Sequence, residues 1–297
     1  MKVLVLGANG LIGSAMINIM SLSNDLDVYG TVRDEIARLH FGPRIQRNIF
    51  INIDVLNYMT IEGVLMKLQP SVIINCVGLT KHLQEATNPS FFSALNAIYP
   101  HKLALSAELL NARLIHISTD CVFLGDKGGY SENDKPDALD QYGITKALGE
   151  VHSKNALTIR TSTIGHEFDS KHGLLEWFLS QEDRCLGYRN AIFSGLPTVV
   201  LATIVRDIVI PRSDLVGLYH IGSSPINKYD LLNLISAVYG KKIDIVPDDN
   251  LCVNRSLSSK KFKMQTGYQA PNWTELVKIM YSFNLENINL SKKNAKK

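Results

Sequence analysis

Short runs of β-branched and other apolar residues recur along the chain at intervals too wide for hairpins. The runs lie at residues 3–6, 28–32, 49–53, 72–76, 114–118, 157–161 and 218–221. Helical patterns fill the intervals at 10–20, 61–68, 90–110 and 143–153. Because buried strands that alternate with helices form parallel sheets covered on both faces, the sequence predicts an α/β fold with a doubly wound parallel Rossmann sheet of about seven strands.

The regular alternation fades after about residue 161. The stretch 163–197 mixes Gly, His, aromatic and charged residues around one helical pattern at 174–179, and further helical patterns follow at 228–239 and 273–283. We therefore predict a Rossmann domain of residues 1–162 plus about 197–222. A smaller, partly discontinuous substrate lobe would contain about 163–196 plus 223–285, and residues 286–297 would form a flexible tail.

The charge of the chain argues against a nucleic-acid partner. Lys and Arg number 31 and Asp and Glu number 28, but the last seven residues alone carry four lysines and no acid. The other 290 residues therefore carry 27 basic and 28 acidic side chains, a net charge of −1. A neutral body with a basic end lacks the basic face that nucleic-acid binders present.

The apolar runs and the cysteines indicate the cellular location of the protein. No uninterrupted apolar run approaches the roughly 18 residues of a spanning helix, so no membrane association is predicted. The four cysteines are far apart and form no Cys-x-x-Cys pair, so the sequence predicts neither a metal site nor disulfides. We expect a reducing, cytoplasmic location. The oligomeric state stays open, with a homodimer as one option.

A glycine-rich turn follows the first strand and opens the first helix. Gly7 permits a tight turn, Gly10 lets the backbone approach a pyrophosphate, and Gly13 lets the helix pack on the strand. The helix N-terminus offers unpaired N–H groups to an anion. Glycine spacing alone is weak evidence, but here a strand precedes it and a helix follows it, as a dinucleotide site requires.

The residues at the ends of the next strands indicate which dinucleotide binds. The second strand ends at Val32-Arg33, where NAD-binding sites place an acid, and an arginine can pair with a 2′-phosphate. NADP(H) is therefore favoured, with an exposed surface arginine as the alternative. Asp54 could accept the adenine amino group or cap a helix, and Gly78 would let the backbone lie against a ribose.

Of eleven tyrosines, only Tyr142 is followed four residues later by a lysine, Lys146. On a helix both side chains share one face, and a nearby cation would lower the tyrosine pKa toward neutrality. Thr119, at the end of the fifth strand, could share a carbonyl oxygen with Tyr142. A surface pair is the alternative, but the order of glycine turn, hydroxyl-tipped strand and Tyr-x-x-x-Lys favours catalysis.

With these motifs the chain resembles the extended short-chain dehydrogenase/reductases. The resemblance rests on the glycines of residues 7–13, on Ser118-Thr119-Asp120 with the Val-Phe and Gly125 that follow, and on Tyr142-Gly-Ile-Thr-Lys146 with Glu150. Residues 116–123, 129–132 and 96–104 are most similar to the dTDP-4-dehydrorhamnose reductase branch. The resemblance covers about residues 1–165 well and the remainder loosely.

The resemblance implies a role for each matching residue. Thr119 would hydrogen-bond the 4-keto oxygen of a nucleotide-linked 4-keto-6-deoxy sugar, Tyr142 would protonate it, and Lys146 would hold the nicotinamide ribose while acidifying Tyr142. NADPH would deliver hydride to carbon 4, in deoxysugar biosynthesis of the L-rhamnose or N-acetyl-L-rhamnosamine type. The expected cofactor contacts are Gly7, Asn9, Gly10, Leu11, Ile12, Gly13, Arg33, Asp54, Val55, Cys76, Val77, Gly78, Asn96, Tyr142 and Lys146.

One position departs from related families. Sugar-nucleotide 4,6-dehydratases place Asp-Glu after the strand-end threonine, whereas this chain has Asp120-Cys121, which argues against dehydration. The cysteine is similar to that of GDP-fucose synthases, which epimerise the keto sugar with a cysteine and a distant histidine before reducing it. Cys121 with His172 could invert carbon 3 or 5 through an enolate. Inert packing of Cys121 and solvation of His172 are the alternative.

The expected substrate contacts are weaker predictions. Thr163 follows the sixth strand and Arg255 resembles a late arginine directed at the nucleotide diphosphate. Trp177 and Phe193 could stack on the base or sugar, or belong to the core. Two other functions stay open: an epimerase that retains NAD, and a noncatalytic NADP-binding sensor or regulatory subunit. The sequence leaves UDP or dTDP, and hydroxyl or acetamido at carbon 2, undecided.

Overall fold

A computed structural model describes residues 1–79, 89–168 and 172–294, with side chains up to residue 283. Seven parallel strands form the central sheet, in the order β11-β6-β5-β4-β1-β2-β3. These strands are β1 (Lys2–Leu6), β2 (Asp27–Thr31), β3 (Ile49–Phe50), β4 (Val72–Asn75), β5 (Arg113–Thr119), β6 (Ala156–Thr161) and β11 (Gly217–His220). The predicted α/β class and the doubly wound sheet are confirmed.

Helices cover both faces of the sheet. The Rossmann part contains α1 (Leu11–Met20), α2 (Glu35–Leu39), α3 (Pro43–Gln46), α4 (Tyr58–Leu68), α5 (Pro89–Phe92), α6 (Tyr99–Leu109), α7 (Gln141–Leu148) and α9 (Thr198–Ile204). One core cluster joins Val3 and Val5 to α1 and α9, and the other joins Leu4 and Leu6 to α4 and α6. Alternate residues of β1 therefore face opposite helix layers.

The remaining elements form the smaller lobe and its connections. They are β7 (Thr163–Ile164), α8 (Leu174–Ser180), β8 (Arg184–Tyr188), β9 (Ala191–Phe193), β10 (Leu196–Pro197), β12 (Ile226–Asn227), α10 (Lys228–Tyr239), β13 (Asp244–Asp248), β14 (Val253–Asn254), α11 (Lys260–Thr266) and α12 (Trp273–Asn294). Short sheets pair β7 with β10, β8 with β13, and β9 with both β12 and β14. The pairing of β11 with β6 joins residues 217–220 to the Rossmann sheet.

Several predicted elements differ in extent. The single helix predicted at 90–110 is divided into α5, a π-helical segment Ser93–Ile98 and α6. The helix predicted at 143–153 ends at Leu148, because Gly149 caps it. Helix α12 continues as backbone to Asn294, since no Gly or Pro interrupts 273–294. Residues 295–297 of the predicted tail lie outside the described residues.

Candidate functional site

The glycine turn between β1 and α1 is built as the fingerprint requires. Gly7 has φ +73°, a conformation that L side chains rarely adopt. A Cβ on Gly13 would lie 2.0 Å from the Gly7 carbonyl oxygen, so only glycine lets α1 approach β1 this closely. Gly10 caps α1 with no side-chain hydrogen bond, and the first turn carries no acid. The turn therefore fits an anionic diphosphate held at a helix N-terminus.

Asn9, Leu11 and Ile12 are partly exposed in this turn. The end of β2 continues the same edge of the sheet, with Val32 buried and Arg33 exposed. The Asp34 carboxylate accepts the Ala37 N–H at 2.8 Å and caps α2. The Asp34 carboxylate is thus bound to the N-terminus of α2. Arg33 is then a cation beside the glycine turn.

The two other strand ends contribute small and polar groups. The exposed Asp54 accepts the Leu56 N–H at 3.0 Å in a turn before α4, while Asn57 occupies the N-cap position, and Val55 is partly exposed between them. After β4, the Val77 N–H is held by the Asn75 side chain at 3.1 Å. The N-cap of α4 is thus Asn57, three residues after Asp54, so the alternative that Asp54 caps a helix is wrong.

Asn96 fixes the backbone that follows β4. Its buried amide accepts the Leu79 N–H at 2.8 Å and donates to the Leu79 carbonyl at 3.0 Å, and it donates to Thr145 Oγ1 at 3.4 Å. A Cβ on Gly78 would lie 3.4 Å from Asn96 Oδ1 and 3.7 Å from Lys146 Nζ. Asn96 therefore joins the end of β4 to α7.

The three predicted catalytic groups meet at this edge of the sheet. Tyr142 and Lys146 both lie on α7, one turn apart as predicted. The Thr119 side chain, at the end of β5, accepts the Cys121 N–H at 3.1 Å, and its hydrogen bond with Tyr142 favours the phenolate. Lys146 Nζ donates to the Ile117 carbonyl at 2.8 Å, two residues before Thr119. The hydroxyls and the ammonium therefore converge at the carboxyl ends of β4 and β5.

The charge states differ from the expected ones. Burial raises the pKa of Tyr142 well above its ordinary value, and Cys121 raises it further. The expectation that this pKa falls toward neutrality is wrong, because the lowering effect of the hydrogen bond with Thr119 is smaller than the effect of burial. Burial also lowers the pKa of Lys146 to about 8, opposed by Glu150 and Cys76. Burial raises the pKa of Cys76 to about 12, so that thiol is neutral.

A charged cluster adjoins Thr119 on the substrate side. Thr119 Oγ1 donates to Asp120 Oδ1 at 3.2 Å, and burial raises the pKa of Asp120 while Arg255 opposes the shift. Arg255 Nε donates to the Phe123 carbonyl at 2.8 Å, and its Nη1 lies 3.9 Å from Cys121 Sγ. The predicted residues Cys121 and Arg255 are therefore brought together beside the catalytic groups.

Sequence reasoning missed Lys228, which joins this cluster from α10. Burial lowers the pKa of Lys228, Asp120 and Cys121 oppose that shift, and Arg255 adds to it. The signal was present in the sequence. A lysine at the first position of a helix is disfavoured by the helix dipole, so its presence there indicates another role.

The other predicted substrate contacts are dispersed. Thr163 is partly exposed on β7, two residues beyond the end of β6. Trp177 is partly buried against the main core, and Phe193 is buried with its ring 5.4 Å from that of Trp273. Phe193 thus serves the core, the alternative left open by the sequence. His172 is exposed beside residues 169–171, which lie outside the described part of the chain.

The described residues contain neither a membrane-spanning helix nor a cluster of metal-binding side chains. No helix in the described ranges is long and apolar enough to cross a membrane. Within the same ranges, no group of three or more His, Cys, Asp or Glu side chains is arranged to hold a metal ion.

Comparison with known proteins shows which family the chain matches. The family model of the RmlD substrate binding domain matches residues 1–284. The dTDP-4-dehydrorhamnose reductase of Aggregatibacter actinomycetemcomitans is 26% identical over 95% of this chain and 99% of its own. Methionine adenosyltransferase 2 subunit beta of Danio rerio is 32% identical, over 50% of this chain and 42% of that protein.

Solved structures share the fold. The dTDP-4-dehydrorhamnose reductase from Bacillus anthracis, solved in complex with NADP, superposes with a TM-score of 0.76 at 22% identity and covers 94% of this chain and 98% of its own. At this identity the likeness demonstrates the fold. The resemblance predicted from the motifs is confirmed by the family match.

Proposed function

The chain belongs to the RmlD substrate binding domain family, and we propose that it is an NADPH-dependent reductase of a nucleotide-linked 4-keto-6-deoxyhexose. The observation that carries the proposal is the meeting of Thr119, Tyr142 and Lys146 beside the glycine turn. A hydroxyl pair that can hold a carbonyl oxygen next to a dinucleotide cradle suits carbonyl reduction. The reductase relative aligned over 95% of the chain supports the substrate class.

The residues at the turn fit NADP(H). Gly7 and Gly13 form the cradle for the diphosphate, and Arg33 supplies a fork for a 2′-phosphate. The NADP held by the Bacillus anthracis homologue supports this choice. NADPH, when bound, supplies the hydride.

The protein side chains hold and move the proton. Thr119 Oγ1 donates to Asp120 in the protein without substrate, so it must turn its proton from Asp120 to the keto oxygen. The raised pKa of Tyr142 keeps its phenol protonated, which suits a donor to the developing alkoxide. Lys146 faces Gly78 and the end of β4, where it can hold the nicotinamide ribose.

The cations of the smaller lobe favour an anionic substrate. Lys228 and Arg255 approach Cys121 and Asp120 from α10 and from the residue after β14. Lys228 and Arg255 together carry two positive charges, whereas the Asp120 carboxylate supplies one negative charge. A nucleoside diphosphate could balance this excess.

Epimerisation before reduction is the finer part of the proposal. Cys121 lies beside Tyr142 and Arg255, so its thiol adjoins the position where a 4-keto sugar would expose its acidic carbon-bound hydrogens. Cys121 would take a proton from carbon 3 or 5 and His172 would return one to the opposite face. His172 is exposed, and the proposal requires its imidazole to reach the face of the sugar opposite Cys121.

One further function has an observation in its favour. The similarity over half of the chain to a protein named as a subunit of methionine adenosyltransferase supports the alternative that the sequence leaves open, a regulatory subunit that binds NADP without turnover. An epimerase that retains NAD is less compatible with Arg33 at the end of β2. Both would fail to consume NADPH with any keto sugar.

The deciding experiment follows NADPH oxidation with UDP- and dTDP-linked 4-keto-6-deoxy sugars, with and without a carbon 2 acetamido group, in deuterated water. We expect turnover by the unmodified protein and a loss of at least about 100-fold in Tyr142→Phe. Tyr29→Phe, which removes a phenol that donates to Asp27 on β2, should retain activity. Ring deuterium at carbon 3 or 5 that is lost in Cys121→Ser would support epimerisation.

Failure of the unmodified protein to oxidise NADPH with all of these sugars would refute the reductase. Product without ring deuterium would leave a plain reductase. Bound cofactor without turnover, together with tight association with a methionine adenosyltransferase, would favour the regulatory subunit.

A further inference from the structure

The Glu150 carboxylate is buried directly behind the lysine of the site. Its side chain is 3% exposed. It accepts hydrogen bonds from Ser118 Oγ at 2.8 Å and from Nε and Nη2 of Arg160 at 2.7 Å each. Three donors therefore hold the carboxylate in one orientation, and no freedom remains for it to turn toward solvent.

Lys146 and Glu150 are aligned along the same strand. Lys146 lies in the last turn of α7, and Glu150 follows the Gly149 cap of that helix. Lys146 Nζ reaches the Ile117 carbonyl and Glu150 reaches the hydroxyl of the next residue, Ser118. Consecutive residues of β5 thus set the positions of the ammonium and the carboxylate relative to each other.

The surroundings of Lys146 otherwise disfavour its charge. The residue is 5% exposed, and burial lowers its pKa to about 8. His116 faces it from β5, and burial together with Lys146 lowers the pKa of His116 well below its ordinary value. Cys76 faces it from the end of β4, with a pKa raised to about 12 that leaves the thiol neutral. Glu150 is thus the anion that opposes the burial of Lys146.

The groups behind Glu150 complete the environment. Arg160 on β6 pairs with Glu150, and its Nη1 lies 3.3 Å from Nε2 of His220 on β11. Burial and Arg160 lower the pKa of His220 to about 4, so this imidazole is neutral at pH 7. Glu150 is therefore the carboxylate that pairs with Arg160, and it lies between that arginine and Lys146 in its electrostatic effect.

We propose that Glu150 is a positioning residue that keeps Lys146 in its ammonium form and directed at the end of β5. It touches neither substrate nor cofactor, and it acts through the charge and orientation of Lys146. The expected effect of Glu150 on turnover rests on the proposed function. The expected effect of Glu150 on the charge of Lys146 is independent of that function.

The first test measures that charge in the free protein. Lys146 of the full chain is labelled with acetic anhydride over a range of pH, and the extent is quantified by peptide mass spectrometry. We expect a midpoint near 8 in the unmodified protein and a midpoint lower by about one unit in Glu150→Gln, since a nearby opposite charge shifts a pKa by about 1–3 units. An unchanged midpoint in folded Glu150→Gln would overturn the proposal.

Glu132→Gln is the matched control. Glu132 accepts the His220 N–H at 2.8 Å and is partly buried, so the substitution removes a carboxylate from the same region without removing the one behind Lys146. Its labelling midpoint should equal that of the unmodified protein. Glu150→Asp, which keeps the charge, should restore most of the shift. A midpoint for Glu150→Asp as low as that of Glu150→Gln would contradict a role in charge.

The second test is a pH profile of kcat/KM for NADPH, which reports groups of the free enzyme. A midpoint lowered by about one unit predicts a loss of roughly fivefold at pH 8 and of less than about twofold at pH 6. A purely structural role would lower activity equally at both pH values, and that result would refute the proposal. If Glu150→Gln does not fold, Glu150→Gln with Arg160→Met removes the unpaired buried cation as well; its midpoint should still be lower than that of the unmodified protein, by less than in the single variant, and an unchanged midpoint would overturn the proposal.

The outcomes separate this inference from the proposed function. If no keto sugar supports NADPH oxidation, the reductase fails while the labelling midpoints still decide the role of Glu150. If the unmodified protein turns over and the labelling midpoint is the same with and without the Glu150 charge, the reductase stands and the positioning role fails.

Discussion

A methyl group added at Gly13 should separate the packing role of the glycine turn from its ligand role. In Gly13→Ala the new Cβ would lie 2.0 Å from the Gly7 carbonyl oxygen, 2.8 Å from the Gly7 carbonyl carbon and 3.1 Å from the Ala8 Cα. All three are backbone atoms, so the clash is relieved only if α1 moves away from β1 by about an ångström or more. Helix α1 packs on α9 in the main core, so such a shift loosens several buried contacts.

We expect Gly13→Ala to lower the free energy of unfolding by about 3 kcal/mol, at the upper end of typical overpacking costs. Urea unfolding followed by circular dichroism measures this as a lower midpoint at an unchanged slope. Binding of NADPH, measured by fluorescence titration, should weaken as well, because the N-terminus of α1 moves.

Gly10→Ala is the matched control. The nearest atom to a Cβ on Gly10 is the Gly7 carbonyl oxygen at 3.5 Å, and the residue has φ −75°. Its unfolding free energy should therefore change by less than about 0.5 kcal/mol, while NADPH binding weakens by about tenfold or more, or about 1.4 kcal/mol. A Gly13→Ala protein as stable as the parent, or a Gly10→Ala protein with undiminished affinity, would refute this assignment of the two glycines.

Three further substitutions test other parts of the site. Arg33→Ser should lower the ratio of kcat/KM for NADPH to that for NADH by about tenfold or more, because it removes a charge-assisted hydrogen bond to the 2′-phosphate; an unchanged ratio would place the phosphate elsewhere. Lys228→Met should raise KM for the nucleotide sugar by about tenfold and leave the Kd of NADPH unaltered, and equal effects on both ligands would argue against a substrate contact. His220 has a folded pKa of about 4, below its unfolded value, so the unfolded state binds the extra proton as pH falls. Stability from this residue is therefore present above about pH 6.5 and is lost at about 1.4 kcal/mol per pH unit down to about pH 4; His220→Asn should flatten the urea-unfolding profile in that window, and an identical profile would contradict the assignment.

Much of the fold and part of the site could be predicted because they depend on local patterns. The apolar runs predicted all seven strands of the central sheet, since a strand buried on both faces is apolar along its length and these runs alternate with helical patterns. The glycine turn could be predicted from residues 7–13 because the conformation of Gly7 and the close approach at Gly13 are backbone properties. The spacing of Tyr142 and Lys146 determined that they share one face of α7.

Element boundaries and charge states depended on contacts that spacing does not encode. The predicted helix at 90–110 carries a π-helical segment, and the Asn96 within it is bonded to Leu79 and Thr145. The local sequence gives no sign of those partners, which lie 17 and 49 residues away. The expected direction of the Tyr142 pKa shift is wrong because burial, which only the packed structure supplies, raises this pKa, and the nearby Cys121 and Asp120 raise it further.

The sequence by itself determined the layered α/β architecture, the glycine turn between β1 and α1, and the three residues that we propose assist carbonyl reduction. Only the tertiary structure decided which distant residues stand behind them. Lys228 reaches Asp120 from a helix more than 100 residues further along the chain, and Arg160 and Ser118 hold Glu150 behind Lys146. The physical reason is that electrostatic interactions depend on distance and burial in space, and these are established only when the strands and helices pack together.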